Sequence, residues 1–172
     1  MRGNASPGAW ARMMKTRTCL QWWRATRSFR SICAGAAMNT AGFACARPGT
    51  ADYGAFSLLM QYYTVPELLF EVPNTCFLPA PKVTSAVIHC PVRQQPPVEV
   101  GSEAMLWRTV RAGFALRRKT LVNSLQTGFS LPKDRLAAIV SACGLPENVR
   151  GERLSLADYA ALADALARET EA

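Results

Sequence analysis

The chain has 172 residues, of which 49% are hydrophobic, and a formal net charge of +8. A hydrophobic share this large excludes a fully disordered chain. No run approaches the roughly 20 apolar residues that a membrane-spanning helix needs. The excess of basic residues is typical of proteins with an anionic partner, such as nucleic acid or a membrane surface.

The positive charge is concentrated at the start of the chain. Residues 1–44 hold seven basic residues and no acidic one, whereas residues 45–172 are nearly neutral, with 13 basic and 12 acidic residues. Trp10, Trp23 and Ile32 have a loosely helical spacing with arginines between them. Three interpretations stay open: a basic helix on a membrane surface, an organelle transit peptide, or a segment read from a disrupted frame. We predict a basic leader of doubtful origin, disordered or helical.

Cysteine and histidine spacing excludes several kinds of site. The six cysteines form no C-x-x-C pair, and His89 is the one histidine. This pattern predicts no structural zinc and no other bound metal. It favours reduced thiols packed as small hydrophobic residues in a cytoplasmic protein. His89 lies in an apolar run and is predicted to be a packing or edge residue of a strand. No complete catalytic motif is present in the chain.

The first predicted helix follows the Pro48-Gly49 turn and covers about residues 53–63, where apolar residues recur at helical spacing. Thr50 or Asp52 is expected to cap its start.

Two proline-bounded apolar runs follow, at 68–72 and 83–90, and both predict strands. The second is apolar at nearly every position after Ser85, which indicates a strand covered on both faces in an α/β sheet. Between them lies a loop, residues 73–82, which Pro79 and Pro81 are expected to stiffen and hold extended.

Residues 93–101 are rich in proline and glutamine and predict a linker. A compact helical bundle is predicted after it, with helices at about 102–115, 118–127, 132–143 and 155–168. Gly128 and Gly144 are expected to end helices in the left-handed conformation. Pro132 suits a first turn, and Ser155 with Asp158 suits a capping box.

A basic patch lies within the helical segment. No acidic residue occurs between Glu103 and Asp134. The basic residues of that interval are Arg108, Arg111, Arg117, Arg118, Lys119 and Lys133. We expect Arg108 and Arg111 to share a helix face, with Arg117–Lys119 at the next helix start. Such a cluster favours RNA phosphates, and arginine gives bidentate contacts to them. The alternative is a solvated helix face whose arginine stems cover the core.

Several motifs occur in one order along residues 45–169. They are C-A-R-P-G-T-A-D-Y-G at 45–54, Q-Y-Y at 61–63, F-x-P-x-P-K-V-x-S at 77–85, F-x-x-R-R-K-x-L-x-N-x-L at 114–125 and R-L-S at 153–155. Together they resemble the ribosomal RNA small-subunit adenine dimethyltransferases of the KsgA/RsmA type. The resemblance implies methyl transfer from S-adenosylmethionine to adenine N6 atoms of small-subunit ribosomal RNA.

The resemblance also implies a fold and an inventory of sites. The fold is the α/β remnant of a class I (Rossmann-like) methyltransferase domain (45–92), the linker, and an all-α C-terminal domain that binds ribosomal RNA (102–172). Phe77 would stack on the target adenine, and Lys82 with the basic patch (Arg108, Arg111, Arg117, Arg118 and Lys119) would contact RNA. The family's glycine-rich S-adenosylmethionine loop, acidic ribose ligand and target-amine motif have no counterpart here, so the cofactor site is predicted to be absent. The alternatives for Phe77 and Lys82 are a core anchor and a solvated lysine.

Three hypotheses for function follow. The first is a part of such an enzyme, inactive alone and monomeric, with the small ribosomal subunit as partner. The second is a non-catalytic module for RNA binding or ribosome assembly. The third is an interfacial or imported protein that uses the basic leader. We also expect the helical domain to fold while residues 1–92, left with a lone two-stranded hairpin, are poorly ordered or aggregation-prone.

Overall fold

The computed structural model describes the backbone of residues 31–171 and the side chains of residues 41–170. Most of the predicted leader lies outside these residues. Of its helical pattern only Ile32 is described, and it lies in a strand. Among the described residues, no helix combines the length and the apolar composition that crossing a membrane requires.

The described residues form a sheet followed by helices. The strands are β1 (Ser31–Ala37), β2 (Glu67–Val72) and β3 (Ser85–Pro91). The α-helices are α1 (Met38–Cys45), α2 (Ala55–Tyr63), α3 (Glu103–Gly113), α4 (Leu121–Leu125), α5 (Lys133–Ala142) and α6 (Leu156–Glu171). Two short 3₁₀ turns cover Asn74–Cys76 and Gly151–Arg153. The predicted helices and strands are all present, with shifted bounds, and β1 and α1 were not predicted.

The sheet has three antiparallel strands in the order β1-β3-β2. Ile88 of the central strand is paired with Ala34 on one side and Leu68 on the other, and a bulge separates Leu68 from Phe70. The predicted hairpin of β2 and β3 is present. The expectation that it stands alone is wrong, because β1 supplies a third strand from the segment taken as leader. The boundary predicted between residues 44 and 45 likewise cuts into helix α1.

Within the described residues, one face of the central strand is buried and the other is half-buried. Burial alternates along β3, so the prediction of a strand buried on both faces is wrong. Ala86, Ile88 and Cys90 pack with Ala41 and Ala44 of α1. His89 lies on the alternate, half-buried face of β3, in a strand as predicted. Phe56 and Met60 of α2 also pack against this cluster, so the sheet core is a thin layer between two helices and one side of the sheet.

The larger core joins α2 to the helices that follow the sheet. Tyr53, Leu58, Tyr62 and Tyr63 share one buried cluster with residues of α3, α4, α5 and α6. The ring of Tyr62 makes an edge contact with Trp107 of α3 at 5.3 Å between centroids. The hydroxyl of Tyr63 donates a hydrogen bond to Glu103, and burial together with this carboxylate raises the pKa of the phenol. The expectation that all of residues 1–92 would be poorly ordered is therefore wrong for α2, which is part of the helical core.

Helix caps are partly as predicted. Ser155 and Asp158 form the capping box: the Ser155 Oγ accepts from the Asp158 N–H at 3.2 Å, and the Ser155 N–H donates to Asp158 at 2.8 Å. Gly144 has a φ of +73° after α5, as its position predicts. Neither Thr50 nor Asp52 caps α2, because Gly54 is the N-cap and its N–H donates to the Ser57 Oγ at 3.0 Å.

Two further terminal predictions need correction. The φ of Gly128 is not positive, so this glycine does not end a helix in the left-handed conformation. It is required for space instead, since a Cβ there would lie 2.7 Å from the Ala112 Cβ. Pro132 precedes α5 as its N-cap residue rather than occupying the first turn.

Residues 46–54, which precede α2, are hydrogen-bonded to the end of the helical bundle. We call this segment the junction loop. The Gly49 N–H donates to the Glu152 carbonyl at 2.8 Å, and the Tyr53 hydroxyl donates to the Leu154 carbonyl at 2.8 Å. Gly49 has a φ of +84°, a conformation that favours glycine. The junction loop is thereby held against a segment about a hundred residues away in sequence.

The predicted linker is also attached at both ends. The Arg93 Nε donates to the carbonyls of Gln61 and Thr64 at 3.0 and 3.1 Å. The Gly101 N–H donates to the Asp164 Oδ1 at 3.0 Å. Residues 93–101 lack helix and long strand pairing, as the sequence predicts, yet these bonds fix the path between sheet and bundle.

Candidate nucleic-acid interface

The loop between β2 and β3 presents an aromatic ring to solvent. The Asn74 Nδ2 donates to the Pro81 carbonyl at 3.1 Å, which closes the loop, and the Phe77 N–H donates to the Asn74 carbonyl at 3.2 Å. Phe77 is 42% exposed and Leu78 is fully exposed. The extended loop that the prolines predict thus contains a 3₁₀ turn, and Phe77 is not buried as a core anchor.

Lys82 lies at the end of the same loop and is exposed. Its ammonium group has no hydrogen-bond or ion-pair partner among the residues that the structure describes. Phe77 and Lys82 therefore offer an aromatic face and a cation on one solvent-facing loop. This combination can hold an unstacked base and the phosphate beside it.

Arg108 is committed to a contact within the protein. Its Nε and Nη2 donate to the Gly128 carbonyl at 3.0 and 2.7 Å, and its guanidinium lies 4.5 Å from the centroid of the Phe129 ring. It thereby satisfies a carbonyl after α4 while the ring provides cation–π contact. Arg111, one turn further along α3, is exposed and has no such partner in the described part of the chain.

The remaining predicted cations lie in the turn between α3 and α4. Arg117 donates to the Ala51 carbonyl at 3.0 Å and lies 3.8 Å from the Glu152 carboxylate, with its side chain 71% exposed. Arg118 and Lys119 are exposed in the same turn. These residues precede helix α4, which begins at Leu121 with Thr120 as its N-cap, and not at residue 118 as predicted.

Folding changes the composition of the basic patch. Glu152 reaches Arg117 from a distant segment, so the acid-free interval of the sequence is not acid-free in space. The same fold adds cations that sequence spacing did not associate with the patch: Arg47 on the junction loop, and Arg150 and Arg153 beside Glu152. Each of these arginines lies among neutral or acidic neighbours in sequence. No local charge pattern indicates them.

Two shallow cavities of the described residues lack the glycine backbone expected of an S-adenosylmethionine site. A shallow cavity of about 300 Å³ is lined by Pro146, Asn148, Val149, Arg150, Glu152 and Arg153. A second one, of about 200 Å³, lies between α5 and α6. Neither is lined by glycine backbone, which is what lets the nucleoside and its charged tail approach closely. In the described part of the chain, no group of three or more His, Cys, Asp or Glu side chains could hold a metal ion.

Comparison with known proteins assigns a family to this architecture. The family model described as ribosomal RNA adenine dimethylase matches residues 37–168.

The chain belongs to the ribosomal RNA adenine dimethylase family.

Relatives in this family are considerably longer than the matched region. Ribosomal RNA small subunit methyltransferase A of Geobacillus kaustophilus is 45% identical over 125 residues, which cover 71% of this chain and 43% of that protein. The protein of the same name from Lachnoclostridium phytofermentans is 44% identical over 119 residues, covering 68% and 41%. The chain thus spans less than half the length of these relatives.

Solved structures support the fold. A dimethyladenosine transferase from Plasmodium falciparum superimposes with a TM-score of 0.69 at 14% identity, over 92% of this chain and 63% of that chain. The 23S rRNA methyltransferase ErmE gives a TM-score of 0.58 at 18% identity, over 86% and 59%. At these identities the likeness concerns the fold alone. It is consistent with a Rossmann-like methyltransferase fold, and the match to the family starts eight residues before the predicted boundary at Cys45.

Proposed function

We propose that the chain acts as part of a ribosomal RNA adenine N6-dimethyltransferase, in which it supplies the RNA-binding side of the enzyme. Membership of the family is the basis for the reaction class. The observation that carries the proposal is the solvent-facing Phe77 on a loop closed by the bond from Asn74 to Pro81. The whole enzyme would transfer methyl groups to adenines of small-subunit ribosomal RNA, as the name of its relatives indicates.

Phe77 has a specific task in this proposal. An adenine amino group inside a helix is inaccessible, so the base must leave its stack before methylation. An exposed aromatic ring can hold the extruded base by stacking, without taking part in proton transfer. Lys82, five residues further along the loop, is placed to contact a neighbouring phosphate.

S-adenosylmethionine supplies the methyl group in this class of enzyme. Since neither of the two cavities of the described residues is lined by glycine backbone, we propose that its site is absent from this chain and that the chain alone is inactive. Titration calorimetry with S-adenosylmethionine should therefore give no binding heat. A saturable isotherm would contradict this part of the proposal.

RNA contacts would come from cations that have donors free to bind phosphate. Arg111, Arg118 and Lys119 meet this condition, whereas Arg108 and Arg117 use part of their donors within the protein. The partner would be the small ribosomal subunit, met by a monomer in the cytoplasm. If about five phosphates are contacted, the affinity should fall with salt at a log–log slope of roughly −3 to −5.

A second candidate function is a non-catalytic module for RNA binding or ribosome assembly. It is favoured by the exposed basic turn between α3 and α4, because cations of this kind can bind RNA without a cofactor. Binding of ribosomal RNA, with no methylation of it when S-adenosylmethionine is added, would support this function.

The role of Phe77 can be tested by base stacking. A small-subunit RNA hairpin with 2-aminopurine at the target adenine should lose fluorescence when the chain binds, because stacking quenches this base. Phe77→Leu should abolish most of the quenching and weaken RNA binding roughly fivefold or more, since one stacking contact worth about 1–3 kcal/mol is lost. Phe70→Leu is the matched control, because Phe70 is also an exposed ring of the same sheet. Equal quenching by both variants would exclude the proposed role.

A further inference from the structure

Three distant segments of the chain meet at one end of the helical bundle. The Gly49 N–H donates to the Glu152 carbonyl at 2.8 Å, Arg117 donates to the Ala51 carbonyl at 3.0 Å, and the Leu121 N–H donates to the Val149 carbonyl at 2.7 Å. The junction loop, the turn before α4 and the segment 149–153 are therefore direct neighbours. Their side chains form one continuous surface.

This surface is strongly basic, and we call it the arginine surface. It consists of Arg47, Arg117, Arg118, Lys119, Arg150 and Arg153, all exposed. The carboxylates of the same segments are Asp52 and Glu152, and Glu147 lies two residues before the third segment, so there are six cations and three nearby acids in sequence. Five of the six cations are arginines, whose planar groups can donate two parallel hydrogen bonds to one phosphate.

Arg153 is held close to the junction loop. A Cβ at position 49 would lie 3.1 Å from the Arg153 Nη1 and 3.5 Å from its Cδ, so the side chain lies against the Gly49 backbone. No carboxylate or carbonyl among the described residues accepts a bond from its guanidinium. The guanidinium donors of Arg153 are thus held in place but make no hydrogen bond to the described residues. They lie against Gly49, which follows Arg47 by two residues in the junction loop.

Several other basic residues are placed differently. Arg108 donates to the Gly128 carbonyl, Arg93 donates to the carbonyls of Gln61 and Thr64, and Arg135 forms an ion pair of 2.7 Å with Glu169. The donors of these three side chains are used within the protein, whereas those of Arg47 and Arg153 have no partner among the described residues.

We propose that the arginine surface binds the phosphate backbone of RNA and that Arg47 and Arg153 are contact residues. Because Arg47 precedes α2 and Arg153 precedes α6, one RNA strand on this surface would be held by both ends of the family domain. The inference rests on the proposed RNA-binding function and names further residues for it. Glu152 lies within the surface and opposes it, since its carboxylate repels phosphate and occupies Arg117.

The test compares two double variants of equal charge. Arg47→Gln with Arg153→Gln removes two cations from the arginine surface. Arg135→Gln with Arg168→Gln removes two exposed cations from α5 and α6 and is called the α5 variant. Binding of a small-subunit ribosomal RNA transcript is measured by filter retention between about 50 and 200 mM salt. Thermal unfolding by circular dichroism checks that both variants remain folded.

The first variant should lower the log–log salt slope by about 1 to 2 and weaken binding roughly tenfold, because two phosphate contacts are lost. The α5 variant should keep the wild-type slope. Equal slopes for the two variants would overturn the inference while the RNA-binding function stands. Salt-insensitive or absent binding by the wild-type chain would instead overturn the proposed function together with it.

Glu152→Gln adds a test with the opposite sign. Removing this carboxylate should strengthen RNA binding about two- to fivefold at low salt, because a like charge no longer faces the phosphates. Unchanged or weaker binding would contradict the proposed place of the RNA. Vesicles of anionic phospholipid are the second ligand: an affinity for them that exceeds that for RNA, and that the first variant abolishes, would assign the surface to a membrane and overturn the inference.

Discussion

The helical core and the sheet differ in how completely they bury their apolar side chains. Leu106, Leu136, Leu162 and Leu166 of the helical core are fully buried. Leu68, Leu69 and Phe70 of β2 are 39, 47 and 56% exposed, although they are as apolar. Within the described part of the chain, the same residue types thus stabilise one region and leave the other with a half-exposed edge strand. Apolar composition predicts where elements form, but stability depends on what covers them.

The largest expected difference between the regions is in the cost of truncating a leucine. Leu162→Ala should lower the free energy of unfolding by about 2–5 kcal/mol, because it leaves a cavity in a closed core. Leu69→Ala removes the same atoms from a side chain that is half exposed and should cost less than about 1 kcal/mol. Urea unfolding followed by circular dichroism measures both. Similar losses would show that β2 is covered in solution.

Glycine-to-alanine changes should have opposite signs in the two regions. Gly128→Ala puts a Cβ 2.7 Å from the Ala112 Cβ, and overpacking of this kind costs about 1–3 kcal/mol. Gly42→Ala in α1 meets no atom closer than 3.7 Å, so it should stabilise the chain by roughly 0.5–1 kcal/mol through helix propensity. Thermal unfolding midpoints that fall in both variants would contradict the space seen around α1.

The hydrogen bonds that attach the junction loop should make a smaller but measurable contribution to the free energy of unfolding. Tyr53→Phe removes the bond to the Leu154 carbonyl and leaves that acceptor unpaired, which should cost about 1 kcal/mol. Tyr62→Phe is the control, because its hydroxyl has no hydrogen-bond partner among the described residues. If both variants unfold at the same urea concentration, the bond contributes nothing to stability.

The smallest expected difference is in the rates at which the cysteine thiols are alkylated. Cys76 is exposed on the β2–β3 loop, whereas burial raises the pKa of Cys45 and Cys143. A raised thiol pKa leaves less of the reactive thiolate near pH 8, so Cys76 should react with a maleimide several-fold faster. The alkylation rates of Cys45 and Cys143 should keep rising above the ordinary thiol pKa. Mass spectrometry of the alkylated chain identifies each site, and preferential labelling of Cys143 would contradict this order.

Local pattern was sufficient for much of the fold. Helical spacing predicted α2, α3, α5 and α6, and the Ser155–Asp158 capping box was confirmed because each bond in it lies within four residues. Strand β1 was not predicted, since an acid-free arginine-rich composition dominates the segment around it. Its pairing with β3 depends on residues about fifty to sixty positions away, which no local period contains.

The candidate site shows the same limit more clearly. A count of charges along residues 103–134 predicted the basic turn. It could not show that Arg108 would donate its hydrogen bonds to the Gly128 carbonyl. It could not show that Glu152 would lie beside Arg117, or that Arg47 and Arg153 would join the surface. These outcomes follow from loop packing. The exposure of Phe77 agrees with the family resemblance, while its contact with an adenine stays a prediction.

Each of the three hydrogen bonds that attach the junction loop has a main-chain carbonyl as its acceptor. The acceptors are the carbonyls of Ala51, Glu152 and Leu154, which every amino acid provides. Substitutions at these three positions therefore leave the bonds chemically possible. The angle at which the sheet portion meets the bundle can then persist while the surface side chains diverge. Relatives that bind different RNAs could in this way inherit one geometry and vary only the charges displayed on it.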